Sequence, residues 1–438
     1  MLNRRLTLLA VPLVMLLNVS VRPAWCQDQP RAWAEKHLDE IVELYHHFHS
    51  HPELSFMEKE TAARLAKELR AAGVEVTENV GGTGVVGVLK NGNGKTIMLR
   101  TDLDALPVTE QTGLAHASKV KVTDPTTGVE VGVMHACGHD IHIANLIATA
   151  RYLAEHKSQW KGTIVFIGQP AEERGSGAKA MLEDGLFEKF PKPDLAIALH
   201  DDATLAAHKV GVRGGWSMAN VDSIDITIIG RGGHGAAPHT TVDPIVTAAQ
   251  LVLALQTVVS REMKPTDPAV VTVGSIHAGT KHNIISDRCQ MQLTVRSYSD
   301  EVREKILSGI RRRAEGICQA AGCPEPPVIK ISEGTPALFN DEQLAGRIRE
   351  LFIKEFGKEN VEESEATMGG EDFSQYARAG VPVLMFRVGA VEEKRLARMK
   401  ELGQDPPSLH SPIFYPDAEI TLVTALHSLV AATLDLLK

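Results

Sequence analysis

Apolar positions along this chain follow two alternating rhythms. Leu38, Ile41, Leu44 and Tyr45, and then Ala62, Leu65, Leu69 and Ala72, recur three or four apart, the spacing that lines one face of a helix. Short, mostly apolar runs follow at 85–89, 96–99, 164–167 and 195–199, with a helical stretch over 144–153. Runs this short and this apolar predict strands buried on both faces, so residues 32 to about 215 read as an α/β layer. From 216 to 332 the rhythm changes. Residues 222–229 alternate like a half-exposed strand, 244–259 form an apolar-striped helix, 269–276 and 289–296 are strands, 302–321 a second helix and 328–331 a last strand. That order, βαββαβ, is the ferredoxin-like unit. Helix, strand and helix then return at 344–356, 381–386 and 420–437, while the charged stretch 391–407, ending in Pro406-Pro407, predicts a surface loop or short helix. The expected fold is therefore α/β with two domains: a mixed-sheet α/β domain from 27–215 and 333–438, and a ferredoxin-like lid inserted over 216–332.

The N-terminus departs from this pattern. Arg4-Arg5 precede an apolar stretch over 6–19, and Ala24-Trp25-Cys26 place small residues where a signal peptidase reads, so residues 1–26 are expected to be a removable leader and the mature protein periplasmic or secreted. The apolar stretch is shorter than the roughly 20 residues of a spanning helix, and no stable membrane span is expected after cleavage. Cys137, Cys289, Cys318 and Cys323 would remain, too few for a disulfide framework, although Cys318 and Cys323 could pair in an oxidising compartment. Length alone favours two domains: 438 residues exceed what one core encloses. A net charge of -9 with no basic run excludes a nucleic-acid partner.

Candidate chemistry gathers where predicted strands end. In Met134-His135-Ala136-Cys137-Gly138-His139-Asp140 a thiol and an imidazole stand two positions apart before a helix, a spacing that aims two metal ligands at one point. Haem attachment is excluded, because Met134 occupies the place of the first cysteine. Glu172-Glu173 follow the 163–168 strand, and adjacent carboxylates there let one hold metal while its neighbour moves protons. His200 and His410 could complete the set. Each residue alone is more often a packing or capping group; together they match the donors borderline divalent ions accept.

These segments resemble the hippurate hydrolase, auxin-conjugate hydrolase and N-acyl-amino-acid amidohydrolase branch of the aminoacylase/carboxypeptidase family of two-metal enzymes. The resemblance rests on 100–107 (Arg-Thr-Asp-Leu-Asp-Ala-Leu-Pro), Cys137-Gly138-His139-Asp140, Glu172-Glu173, Gly232-Gly233-His234, 283–287, Gly370-Glu371-Asp372-Phe373 and Leu409-His410-Ser411-Pro412. It implies that Cys137, His139, Glu173, His200 and His410 hold two divalent ions, zinc, manganese, cobalt or nickel, and that Glu172 is general base and then acid toward a water between them. Asp104 is expected to orient a ligating histidine from behind. Asp102, standing where the wider family has a ligand His, is expected to be structural. His234 is expected to stabilise the oxyanion from a partner subunit, in a homodimer paired through the lid, and Asn283 with Arg296 to grip the substrate carboxylate. The implied reaction is hydrolysis of N-acyl amino acids. The same fold would also serve a carboxypeptidase or dipeptidase acting on short peptides. A non-catalytic periplasmic binding module is disfavoured, because a binder gains nothing from a base beside a metal ligand.

Overall fold

The computed structural model of the protein describes residues 29–438. The expected leader over 1–26 lies outside these residues. Two sheets organise the described chain. The larger has eight strands in the spatial order Glu75–Val80, Gly84–Asn91, Gly162–Gln169, Thr96–Asp102, Leu195–Ala206, Val383–Val391, Val210–Val212 and Val361–Glu363. Thr96–Asp102 runs parallel to both Gly162–Gln169 and Leu195–Ala206, and Val383–Val391 parallel to Leu195–Ala206, whereas Gly84–Asn91 is antiparallel, so the sheet is mixed.

The central strands are buried along nearly their whole length because helices cover both faces. Leu38–Ser50, His139–Glu155 and Ala418–Leu436 supply one core with Tyr45, Ile147 and Leu426. Met181, Phe373 and Tyr376 build the core on the opposite face. The parallel strands thus deliver their C-terminal ends, Asp102, Gln169 and the segment from His200, to one edge, the place where open α/β sheets hold ligands.

The second sheet is antiparallel, ordered Ala269–Ala278, Arg288–Ser297, Asn220–Ile229, Val328–Thr335. Pro244–Thr257 and Asp300–Ala321 pack on it around Ile224, Ile226, Leu251, Met291 and Ile306. Both helix starts follow from sequence: Asp243 accepts from Ile245 and Val246 N–H before Pro244, and Ser299 accepts from Val302 N–H. This is the predicted βαββαβ unit. The chain leaves and re-enters the larger layer through an antiparallel pair, Gly215–Met218 with Leu338–Asn340.

Some elements differ from the reading of the sequence. Glu75–Val80 is an edge strand with mostly polar, exposed positions and so lacks an apolar signature. Within 391–407, by contrast, the short surface helix that is one of the two expectations forms at Glu393–Glu401, and none of its residues is buried. Cys318 and Cys323 are separate thiols, and burial beside Cys323 pushes the Cys318 thiol up to about 12.

Candidate metal centre

Three strand ends, the start of the helix His139–Glu155 and the loop carrying His410 converge at the edge of the larger sheet. Cys137 Sγ lies 3.6 Å from His200 Nε2. His139 Nε2 lies 3.9 Å from Glu173 and 4.0 Å from Glu172, and His410 Nε2 is 3.5 Å from Glu173. Donor atoms of Cys137, His139 and His200, of Cys137, Glu173 and His410, and of His139, Glu172 and Glu173 each fall within 4.8 Å of one another. The six residues selected from sequence as ligands and base are therefore brought together, although they span positions 137 to 410.

The histidines are oriented for the task. His139 Nδ1 is 2.7 Å from the Asp104 carbonyl oxygen, and His200 Nδ1 is 2.8 Å from that of Asp201. A carbonyl only accepts, so each Nδ1 carries a proton, and in the neutral ring each Nε2 turns its lone pair to the cluster. His139 Nε2 and Glu173 Oε1 are buried without a hydrogen-bond partner among the described residues. Buried imidazole and carboxylate atoms that lack protein partners, beside the buried Cys137 thiol, fit a site for borderline divalent cations.

Electrostatics agree. Burial, reinforced by the neighbouring Glu173, pushes the Cys137 thiol well above its ordinary range. Burial and then the charges of Glu371 and Glu173 raise Glu172 well above a normal carboxyl. Glu173 is raised to about 8 by burial, with Asp104 adding to the repulsion and His139 opposing it. Protons here neutralise charge that the protein itself leaves uncompensated, and divalent ions would do so in their place.

Backbone donors hold the Glu172-Glu173 turn. The Asp104 carboxylate accepts from Glu172 N–H and Glu173 N–H, each at 3.1 Å, and from Ser55 Oγ at 2.6 Å. Asp104 thus meets His139, the kind of residue it is expected to orient, through its main-chain oxygen, with Oδ1 3.6 Å from the same Nδ1, while its side chain also supports the acidic turn. Glu58, unremarked in the sequence, accepts from Ala171 N–H at 2.8 Å and keeps Ala171 at φ 48°, a left-handed conformation unusual for alanine. A Cβ on Gly177 would lie 1.5 Å from the Pro170 oxygen, so the turn closes only on glycine.

Asp102 is buried and bonds His142 Nδ1 and Arg100 Nη1, both at 2.7 Å. Arg100, fully buried, also reaches Glu371 at 2.9 Å and Asp372 at 3.3 Å. His142 Nε2 accepts from Asp201 N–H at 3.0 Å. Sequence reasoning gave none of Arg100, His142, Asp201, Glu371 and Asp372 a role. The Arg100 and Glu371 segments did carry the resemblance; His142, three positions after His139 on the same helix face, was the available signal for the rest.

The lid contributes unequally. Arg296 lines the cleft of about 1160 Å³ that contains the cluster, donating to Met368 O at 2.9 Å and Thr294 Oγ1 at 3.1 Å. His234 and Asn283 lie elsewhere: both are exposed, beside a small ribbon of Gly233–His234 with Ile284–Ile285, and neither lines the cleft.

A further buried group braces the site. His49 Nδ1 is 2.6 Å from Asp140 and its Nε2 is 3.1 Å from Glu110. Gln111 N–H donates to Pro412 O, and His410 N–H to Ala136 O, each at 2.8 Å, so the loop anchored by Glu110 is tied to the loop carrying His410. Burial lowers the His49 pKa, but the bonds to Asp140 and Glu110 outweigh it and raise it to about 10.

The sequence pattern of peptidase family M20/M25/M40 matches residues 98–401. The thermostable carboxypeptidase 1 of Saccharolobus solfataricus is 37% identical over 399 residues, covering 90% of this chain and 95% of that protein. The hippurate hydrolase of Campylobacter jejuni is 40% identical over 338 residues, 76% of this chain and 84% of its own. A Bacillus subtilis structure described as a dinuclear metal-binding peptidase of the M20 family superposes with a TM-score of 0.74 at 31% identity, over 92% of this chain and 99% of that one.

The His49 pairing predicts a pH-dependent stability. Its folded pKa of about 10 exceeds the unfolded value of about 6.5, so its contribution is complete below about pH 6.5 and is lost as pH rises through about 10. Thermal unfolding should show His49→Gln less stable than the wild type at pH 6, with the difference shrinking toward pH 10; a pH-independent difference would show that His49 is not charged.

Proposed function

Since this chain belongs to peptidase family M20/M25/M40, we propose that it is a metal-dependent amidohydrolase that cleaves the amide between an acyl group and an amino acid, releasing a carboxylic acid and the free amino acid. The observation that carries this reading is the free Glu172 carboxyl beside a cluster whose histidines turn their Nε2 atoms inward. The acyl-amino-acid substrate is supported by the hippurate hydrolase relative. The carboxypeptidase relative fits the same chemistry with an amino acid or peptide as the acyl group.

Cys137, His139, Glu173, His200 and His410 would hold two divalent ions, which when bound polarise the substrate carbonyl and acidify water. Their softness favours zinc, with manganese, cobalt and nickel also accepted by such donors. Glu172 does the proton work. Raised by burial and by Glu371 and Glu173, it takes a proton from the attacking water and keeps it until it passes to the leaving nitrogen. Arg296, half-buried on the cleft wall, presents a planar fork suited to the substrate carboxylate.

His234 and Asn283 serve the site of a second subunit in this proposal. Their exposure outside their own cleft supports it. So do the unpaired edge strand Ala269–Ala278 and the exposed Val246 and Leu253 on the adjoining helix, features that invite pairing of two lids.

Glu172→Gln should retain metal and lose at least about a hundredfold in kcat, the scale of a lost general acid/base; near-normal turnover with full metal content would remove Glu172 from this role. Cys137→Ser should weaken metal binding, since a hydroxyl is a poorer ligand than a thiolate, and unchanged metal affinity would make Cys137 a packing residue. Mixing inactive Glu172→Gln and His234→Ala subunits should restore part of the activity, because one site of each heterodimer then holds both groups. No recovery in verified heterodimers would confine His234 to its own subunit or to no catalytic role.

A further inference from the structure

Arg387 has no structural partner that explains its place. It occupies the middle of Val383–Val391, a strand in which every other residue is buried, between Phe386 and Val388. A charge in a central strand is costly unless it is paired or used. Among the described residues its hydrogen bond is from Nη2 to Met218 Sδ at 3.1 Å, and a thioether is a weak acceptor. It forms no ion pair among them, although the cleft it lines is rich in carboxylates, Glu362, Glu363 and Glu365 included. A guanidinium placed for structure in such surroundings would have a carboxylate at hand. Room for it is kept by Gly211 on the neighbouring strand, where a Cβ would lie 3.4 Å from that of Arg387 and 2.3 Å from Ser364 Oγ.

Its position is next to the chemistry. Arg387 pairs in register with His200 on the adjacent parallel strand, so its side chain enters the cleft beside the metal cluster. Arg296 enters the same cleft from the other sheet, and two of its donors are already engaged by Thr294 and Met368. Besides Arg174 of the acidic turn, the cleft therefore holds a guanidinium group from each of the two sheets, whereas a simple N-acyl amino acid offers one carboxylate.

Resting on the amidohydrolase reading above, we propose that Arg387 is a second anion-binding group of this cleft and that the preferred substrates are N-acyl amino acids carrying a second carboxylate. That carboxylate belongs either to the amino-acid side chain or to the far end of a dicarboxylic acyl group, and the planar fork of arginine suits either.

The test compares matched substrates on the metal-loaded mature enzyme: N-acetyl-L-glutamate against N-acetyl-L-glutamine, and N-succinyl-L-alanine against N-butyryl-L-alanine. The wild type should favour the diacid of one pair by at least about tenfold in kcat/KM, the scale of a charge-assisted bidentate contact. Arg387→Gln should bring that ratio close to one, and Arg387→Lys should keep part of it. Because each ratio is taken within one protein, partial loss of folded enzyme cancels. The pair that shows the preference locates the anion. No diacid preference in the wild type, a preference unchanged in Arg387→Gln, or an equal loss on both members of each pair would overturn the inference while leaving the amidohydrolase reading intact. Should none of the four be hydrolysed, that reading fails, and calorimetric binding decides Arg387 separately: tighter binding of N-succinyl-L-alanine or N-acetyl-L-glutamate to the wild type than to Arg387→Gln supports the anion site, and equal binding refutes it.

Discussion

Like charge buried at close range is the constraint on which this structure turns. Glu172, Glu173, Asp102, Asp104, Asp201, Glu371 and Asp372 crowd around His139 and Cys137 at one edge of the larger sheet. Two carboxylates about 4 Å apart repel by about 4 kcal/mol even at an effective dielectric constant of about 20, and each buried ion adds a desolvation cost of several kcal/mol. Protein cations answer only part of this. Arg100 pairs with Asp102, Glu371 and Asp372 from behind, one positive charge among three acids, and His49 answers Asp140 and Glu110 farther out. Glu172 and Glu173, at 4.0 and 3.9 Å from His139 Nε2, have no arginine or lysine partner among the described residues, and their raised pKa values reflect the imbalance.

The scaffold keeps these groups together against their repulsion by spending backbone hydrogen bonds on them. Asp104 and Glu58 fix the Glu172-Glu173 turn through main-chain N–H groups, and the carbonyls of Asp104 and Asp201 set the tautomers of His139 and His200. Gly138, at φ 74°, opens the helix that carries His139 where a Cβ would lie 2.3 Å from the Asp201 carboxylate. Acidic side chains can be placed this tightly because the parallel strands end at one edge and their backbone donors remain unspent there.

Much of this is legible in the amino-acid sequence. The switch from apolar runs to alternating strands at about 216 marked the second sheet, and the Cys-Gly-His and Glu-Glu spacings marked the cluster. What stayed hidden has a common cause. His49 is 91 positions from Asp140 and 61 from Glu110, and Arg100 is 271 from Glu371, so their pairing has no local signature. Asp104 was assigned to a histidine because carboxylates commonly orient ligands; that its backbone oxygen does this, freeing the side chain for the acidic turn, depends on a bend no periodicity encodes. Arg387 was passed over because a lone charge in an apolar run reads as an interruption, and only the register with His200 shows where it leads.

The central claim is that this acid-rich cluster is completed by two divalent ions. Its most direct test is the metal stoichiometry of the purified protein, titrated with zinc and with manganese and measured by elemental analysis after removal of loosely held ions. The account predicts two ions per chain at saturation. Saturation at no ion, or at one, would contradict it.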